Sequence, residues 1–179
     1  MWLVLLFSCT EQGTNLRENP TQLDQYFPLS DFVQSQIERL DGKKVRKTLV
    51  LGERKEEVTQ QLDQVGWRKE LDLFIQSDIN KASLATSYTT EETADRIVHR
   101  LIDGELGDVQ EMKVIKDGDT ILELSFTYRK ESFFYLSEGA GSMTVNPETG
   151  LVASYEVSGR QKVWFLPANT MELSAVVNP

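Results

Sequence analysis

The segment Val109–Tyr128, VQEMKVIKDGDTILELSFTY, decides how the second half of this chain folds. Apolar and polar residues alternate on both sides of Asp117-Gly118, a pair typical of tight hairpin turns. The later segments repeat this pattern up to TMELSAVV, with turn residues at intervals of roughly 8–12 positions. We therefore expect an antiparallel meander, with a bulge or bend at the glycine-rich run Gly139-Ala140-Gly141.

The first half of the chain contains two segments with helical spacing of apolar residues at i, i+3 and i+4. The first segment carries Leu29, Phe32, Val33, Ile37 and Leu40 and stops at Gly42. The second carries Trp67, Leu71, Phe74 and Ile75, with Asp63 as the expected N-cap. Between them, a period-2 pattern turning at Gly52-Glu53 predicts a β-hairpin.

These elements predict an α+β fold in which two amphipathic helices and a β-hairpin cover one face of a curved antiparallel sheet. One segment, TTEETADRIVHRLIDG, fits two structures. Thr89 and Glu92 could form a helical capping box, and an alternation around Ile97, His99 and Leu101 equally fits a strand.

Composition limits the classes of partner and site. Lys and Arg total 19 and Asp and Glu total 28, so the net charge is −9. This charge argues against nucleic acid as a partner and against electrostatic docking on an anionic lipid surface. The chain has one Cys and one His, which excludes an internal disulfide and a Cys/His zinc site. We expect no metal and no cofactor.

The amino-terminal run WLVLLF, residues 2–7, is too short to span a bilayer, which takes about 20 apolar residues. The following motif, Leu6-Phe7-Ser8-Cys9, resembles a bacterial lipobox. The resemblance implies cleavage before Cys9, diacylation of its thiol and a palmitate-type anchor, since two or more chains hold a protein stably on a membrane. The alternative is a buried strand with an inert core cysteine.

The resulting domain organisation has three parts. We expect residues 1–8 to be a lipoprotein signal segment, and the missing basic leader favours a start upstream of Met1. The polar composition of residues 9–25 predicts a flexible tether with a reach of about 20–25 Å. Residues 26–179 form a single folded domain.

Several side chains invite a functional interpretation. Trp67, Phe74 and Trp164 could line a ligand pocket, although core packing explains aromatic residues at such spacing equally well. Asp78 with Asn80 could contact a ligand or cation, although a helix end explains the same two residues. The acids Asp63, Glu70, Asp72 and Asp78 allow a paired-carboxylate hydrolase or a solvated helix face. His99 stands in no Ser/His/Asp pattern, so we expect no catalytic residues.

Parts of the chain resemble an uncharacterised family of small lipoproteins from Bacteroidota-type bacteria. The resemblance is carried by Tyr26-Phe27, Trp67, Glu70-Leu71, Phe74, the run Asp78-Ile79-Asn80-Lys81, and Gln161-Lys162-Val163. This chain has Gly66 where such sequences carry an acid and Ala82 where they carry Pro. The resemblance implies a lipid-anchored envelope protein and a strand near residues 96–102, and it implies no activity.

The sequence therefore predicts a non-enzymatic binding or scaffold module, anchored to the outer membrane through Cys9. Its expected partners are the membrane, an apolar or peptide ligand held between sheet and helices, or an envelope protein. Thr10 follows Cys9 where an Asp would retain many lipoproteins in the inner membrane. A carboxylate-dependent hydrolase acting on envelope glycans is the alternative.

Overall fold

The computed structural model of the protein describes residues 24–178. The predicted signal segment, the predicted acylation site Cys9 and nearly all of the predicted tether lie outside the described residues. Three α-helices precede or interrupt the strands: α1 (Leu29–Leu40), α2 (Gln64–Glu70) and α3 (Asp72–Gln76). The Asp63 side chain accepts a hydrogen bond from the Gly66 amide at 2.8 Å, which confirms the predicted N-cap of α2.

Nine strands make up most of the described fold. In chain order they are β1 (Lys44–Leu51), β2 (Arg54–Gln61), β3 (Tyr88–Glu92), β4 (Arg96–Leu101), β5 (Val109–Asp117), β6 (Thr120–Glu131), β7 (Tyr135–Val145), β8 (Val152–Val163) and β9 (Asn169–Asn178). They form one antiparallel sheet in the order β2-β1-β9-β8-β7-β6-β5-β4-β3. The predicted meander of the second half is confirmed, and β1 joins it by pairing with β9.

The predicted α+β class is wrong, because strands account for 53% of the structure and helices for 18%. Two local findings explain the difference. The second predicted helix divides at Leu71 into two short helices, and the segment that fitted helix or strand forms β3 and β4. Pairing of β4 with β5 satisfies its backbone within the sheet, so sheet extension overrides the helical spacing.

The core lies between the helices and one face of the sheet. Leu29, Val33 and Leu40 of α1 are fully buried, as are Trp67 of α2 and Phe74 of α3. The sheet contributes inward-facing residues from β1 and from β5 to β8, among them Val45, Met112, Leu124, Phe126, Met143 and Tyr155. Alternate residues on the same strands face away from the helices. Within residues 24–178, no helix is long and apolar enough to cross a membrane.

The predicted bulge at the glycine-rich run is wrong, because β7 pairs without interruption through Gly139, Ala140 and Gly141. The two glycines instead allow close packing. A Cβ at Gly141 would lie 2.5 Å from the Phe126 ring, and one at Gly139 would lie 2.2 Å from the Ser158 carbonyl oxygen. Glycine is therefore required at these two positions because the Phe126 ring and the neighbouring strand lie so close, and not because the strand pairing is interrupted there.

Candidate functional site

Asn80, a predicted binding residue, holds the start of the described chain against the fold. Its Oδ1 accepts hydrogen bonds from the amides of Gln25 at 3.1 Å and Tyr26 at 2.8 Å. Its Nδ2 donates to the carbonyl oxygens of Tyr26 at 3.1 Å and Phe27 at 3.0 Å. The side chain is buried, and these four bonds use the full capacity of its carboxamide.

Asp78, the second predicted polar contact, secures the first turn of α1. Its Oδ2 accepts from the Ser30 amide at 2.8 Å, and its Oδ1 accepts from the Asn80 amide at 2.7 Å. A carboxylate at a helix N-terminus satisfies a free amide and complements the helix dipole. We name Asp78 and Asn80 together the clasp, because both bind backbone from residues 25–30. No group of three or more potential metal ligands occurs among the described residues.

The structure separates the predicted aromatic lining: Trp67 and Phe74 are fully buried in the core, whereas Trp164 is exposed in the β8–β9 loop. The Phe74 ring packs edge-on against Phe126 with 5.3 Å between ring centroids. The indole Nε1 of Trp67 has no hydrogen-bond partner among residues 24–178. Side chains thus fill the space between helices and sheet where the sequence predicts a ligand.

Glu70 connects α2 to the sheet. Lys47 of β1 forms an ion pair with its Oε1, and the Tyr155 hydroxyl of β8 donates to its Oε2 at 3.0 Å. Burial, assisted by the Glu70 charge, raises the pKa of Tyr155 far above its ordinary value. The other acids of the hydrolase hypothesis are bound elsewhere: Asp63 caps α2, Asp72 accepts from Gln76, and Asp78 belongs to the clasp.

His99 lies buried on β4 and contacts the same incoming segment. Its Nε2 accepts from the Phe27 amide at 3.1 Å, and its Nδ1 lies 2.8 Å from the Thr90 hydroxyl. Because Nε2 is an acceptor, the neutral tautomer carries its proton on Nδ1 and donates to Thr90. The Tyr26 ring packs edge-on at 5.3 Å. Burial lowers the pKa of His99, and the nearby Glu92 carboxylate opposes that effect.

Acidification should therefore destabilise the protein through His99. The folded state keeps the imidazole neutral, while the unfolded state protonates it with an ordinary pKa of about 6.5. The contribution of neutral His99 to the free energy of unfolding is then fully present above that pKa. As the pH falls below it, this contribution decreases by at most about 1.4 kcal/mol per pH unit. Urea unfolding between about pH 7 and pH 5 should show a shallower pH dependence in His99→Gln than in the parent. If the free energy of unfolding changed equally with pH in both proteins, His99 would not be the cause of the destabilisation by acid.

The face opposite the helices carries a concave site, which we name the polar groove. It crosses strands β1, β9, β8, β7, β6 and β5 and has a cavity volume of about 420 Å³. Six strands at spacings of about 4.8 Å give it a length of about 24 Å. One row of paired residues on its floor is Thr48, Ser174, Glu156, Ser142 and Ser125. The adjacent row is Val50, Glu172, Ser158, Ala140, Thr127 and Glu111.

The floor of the polar groove carries mainly short hydroxyl side chains and three carboxylates, together with Val50 and Ala140. Glu111 accepts from the Arg100 Nε at 2.8 Å. Within the described part of the chain, Glu156 and Glu172 have neither an ion pair nor a side-chain hydrogen bond. Both are exposed at neighbouring positions on β8 and β9. Their charges are therefore free to act on a ligand in the groove.

Sequence analysis missed the polar groove, although a signal was present. Four consecutive strands carry Ser, Thr, Ala or Glu at alternate positions where long Lys or Arg side chains are common on solvent-facing strands: Ser125 and Thr127, Ala140 and Ser142, Glu156 and Ser158, Glu172 and Ser174. Such a run of short side chains leaves room above a sheet. The register that aligns them across six strands was needed to recognise the site.

Comparisons of this chain with protein-family models, with curated proteins and with solved structures found no match.

Proposed function

We propose that this protein is a lipid-anchored envelope module that binds an extended cationic ligand in the polar groove and does not transform it. The single observation that carries the proposal is the groove itself. Its volume of about 420 Å³ lies within the usual range of ligand sites, about 300–1,000 Å³. Among the described residues, the central side chains of the helix-covered face are packed in the core. A second hollow of about 480 Å³ lies at the β2 edge and extends over three strands instead of six; its lining is Lys47, Leu49, Glu56, Glu57, Val58 and Leu173.

Charge selects the ligand class. Glu156 and Glu172 present carboxylates on the groove floor that no cation of residues 24–178 neutralises, and the whole chain has a net charge of −9. Both features favour approach and binding of a positively charged ligand and disfavour an anionic one. The hydroxyls of Ser142 and Ser158 add donors and acceptors beside these carboxylates.

Shape favours an extended peptide. The groove runs perpendicular to the strands for about 24 Å, which corresponds to about seven extended residues at about 3.3 Å each. No aromatic residue takes an outward-facing position in either described row of its floor. Affinity would come from ion pairs and hydrogen bonds instead of apolar anchors, so we infer a basic peptide segment as ligand.

The anchor is a separate part of the proposal and rests on Leu6-Phe7-Ser8-Cys9. Acyl chains on Cys9 would tie the fold to the outer membrane, and the polar segment before Tyr26 would serve as tether. The tether would hold the folded domain within about 20–25 Å of the bilayer. The distance from the bilayer to the groove would then be at most this reach plus the width of the domain. The Bacteroidota-type resemblance supports the same placement.

Binding of a basic heptapeptide tests the groove. We expect an alternating Lys-Ser heptapeptide to bind the full chain at low salt, and Glu156→Gln/Glu172→Gln to weaken binding by about tenfold, or about 1.4 kcal/mol. Isothermal titration calorimetry measures the affinity. Raised salt should weaken binding of the parent, because the attraction involves exposed charges. The recovered peptide should keep its mass, as expected of a binding module.

The matched control is Glu38→Gln/Glu148→Gln, which removes the same charge from exposed positions outside the groove lining. This control should retain the parent affinity within about twofold. Equal loss in both double variants would show that net charge, and not the groove, attracts the peptide. A cleaved peptide would contradict the non-catalytic part of the proposal.

A further inference from the structure

Charges of opposite sign stand at two places along one row of the polar groove. The strand register aligns Lys113 of β5, Ser125 of β6, Ser142 of β7 and Glu156 of β8 across the sheet. Paired residues on neighbouring antiparallel strands lie on the same face, so all four belong to the face that carries the groove. The groove lining includes Ser125, Ser142 and Glu156, and Lys113 lies directly beyond Ser125. The row therefore has a cation at one end and a carboxylate at the other.

The Lys113 ammonium takes part in no ion pair or side-chain hydrogen bond among residues 24–178. Two carboxylates on the same face are its neighbours in the register. Arg100 binds Glu111 at 2.8 Å, and Glu123 lies at a diagonal position on β6, about 7–8 Å from Lys113. Lys113 is half-buried, and solvent ions screen such a charge less than an exposed one. Its charge therefore remains available to a carboxylate of a ligand in the groove.

Glu156 and Glu172 form the negative part of the groove on β8 and β9. Glu156 pairs with Ser174, and Glu172 precedes Ser174 by two residues, so the two acids are diagonal neighbours about 7–8 Å apart. An extended peptide presents a side chain on the same face at every second residue, at intervals of about 6.7 Å. Two basic residues that are separated by one residue can therefore reach both carboxylates.

The strand spacing sets the distance between the opposite charges of a matching ligand. Glu156 on β8 and Lys113 on β5 are three strand spacings apart, which is about 14 Å at about 4.8 Å each. Four residues of an extended peptide span about 13–14 Å, and residues four apart point to the same face of that peptide. A basic residue over Glu156 and an acidic residue four positions away therefore fit both charges of the row.

We propose that the polar groove selects a peptide with two basic residues, separated by one residue, and an acidic residue four positions beyond the second. The basic pair binds Glu172 and Glu156, and the acidic residue binds Lys113. The neutral residues between them lie over the hydroxyl groups of Ser142 and Ser125. This pattern occupies seven residues, the length that the groove accommodates. The inference rests on the proposed binding of a basic peptide and adds where the charges of that peptide are placed.

Three heptapeptides with blocked termini test the position of the acid: Lys-Ser-Lys-Ser-Ser-Ser-Asp, and the same peptide with Ser or Lys as its last residue. Isothermal titration calorimetry on the full chain at low salt gives each affinity. We expect the Asp peptide to bind about threefold more tightly than the Ser peptide and about tenfold more tightly than the Lys peptide, because the last residue meets Lys113. In Lys113→Gln the Asp peptide should lose this advantage, and the net charge of −9 should then favour the Lys peptide.

The matched control is Lys69→Gln, which removes the same charge from an exposed position on α2 and should keep the parent order of the three affinities. Equal binding of the three peptides by the parent, or an unchanged order in Lys113→Gln, would overturn the inference. The proposed function would survive that result if Glu156→Gln/Glu172→Gln still weakened binding of all three peptides. If the parent bound none of them, the proposed function and the inference would both be wrong.

Discussion

Replacing Asn80 by alanine should lower the free energy of unfolding by about 3 kcal/mol, because it removes all four hydrogen bonds to residues 25–27. The Tyr26 amide and carbonyl oxygen are left buried without that partner, and an unsatisfied buried polar group costs about 1–3 kcal/mol. Urea unfolding followed by circular dichroism gives the change in free energy. The melting temperature should fall by about 10 °C at the usual scaling for a fold of this size.

The matched control for this loss is Asn169→Ala. Asn169 is exposed at the start of β9, and its alanine variant should stay within about 0.5 kcal/mol of the parent. If Asn80→Ala were as stable as this control, the clasp would not secure the incoming chain, and its buried hydrogen bonds would contribute nothing to folding.

Replacing Cys9 by alanine should abolish acylation altogether. We expect the protein, expressed from its own chromosomal locus with a carboxyl-terminal tag, to incorporate an alkyne palmitate and to sediment with membranes. Cys9→Ala should incorporate none, because the thiol is the atom acylated in lipobox proteins. Two acyl chains stabilise membrane attachment by about 0.8 kcal/mol per buried CH₂, so their loss should move the protein from the membrane fraction to the soluble fraction.

Thr10→Ala is the control for this experiment, since it changes the adjacent residue and leaves the acceptor thiol in place. It should be labelled like the parent. An unlabelled parent protein would reject the lipid anchor, whatever its distribution between membrane and soluble fractions.

Local signals predicted the turns and strands of the second half well. Asp117-Gly118 does end β5 and lead into β6, and Gly118 takes a φ of 57°, a conformation that glycine adopts without strain. The hairpin at Gly52-Glu53 and the first helix are also confirmed. Each of these elements depends on residues within about a dozen positions, which a single sequence displays directly.

The balance of sheet and helix could not be predicted in the same way. The segment around His99 fits the apolar spacing of a helix and of a strand equally well. The pairing of His99 with Met112 on β5 decides in favour of a strand. The joining of Thr48 on β1 to Ser174 on β9 connects the two ends of the domain. Such long-range pairings create the nine-stranded sheet, and with it the polar groove, from residues that look ordinary along the chain.

The predicted binding residues show a related limit. Asp78 and Asn80 stand out in sequence as polar residues at the end of a helix, which fits a ligand contact or a helix stop equally well. Their partners are backbone atoms of Tyr26 and Ser30, about fifty positions away in the chain. Almost every residue has a backbone amide, so nothing in the local sequence indicates which distant amide such a side chain will bind.

The most direct test of the central claim is to map where the basic heptapeptide contacts the protein. Backbone amide chemical-shift changes during a titration report this residue by residue. The account predicts that the largest changes fall on Ser142, Glu156, Ser158, Glu172 and Ser174 of the groove floor, with residues of α1 and α2 nearly unchanged. Changes centred on the helices, or spread evenly over the acidic surface, would contradict the polar groove as the binding site.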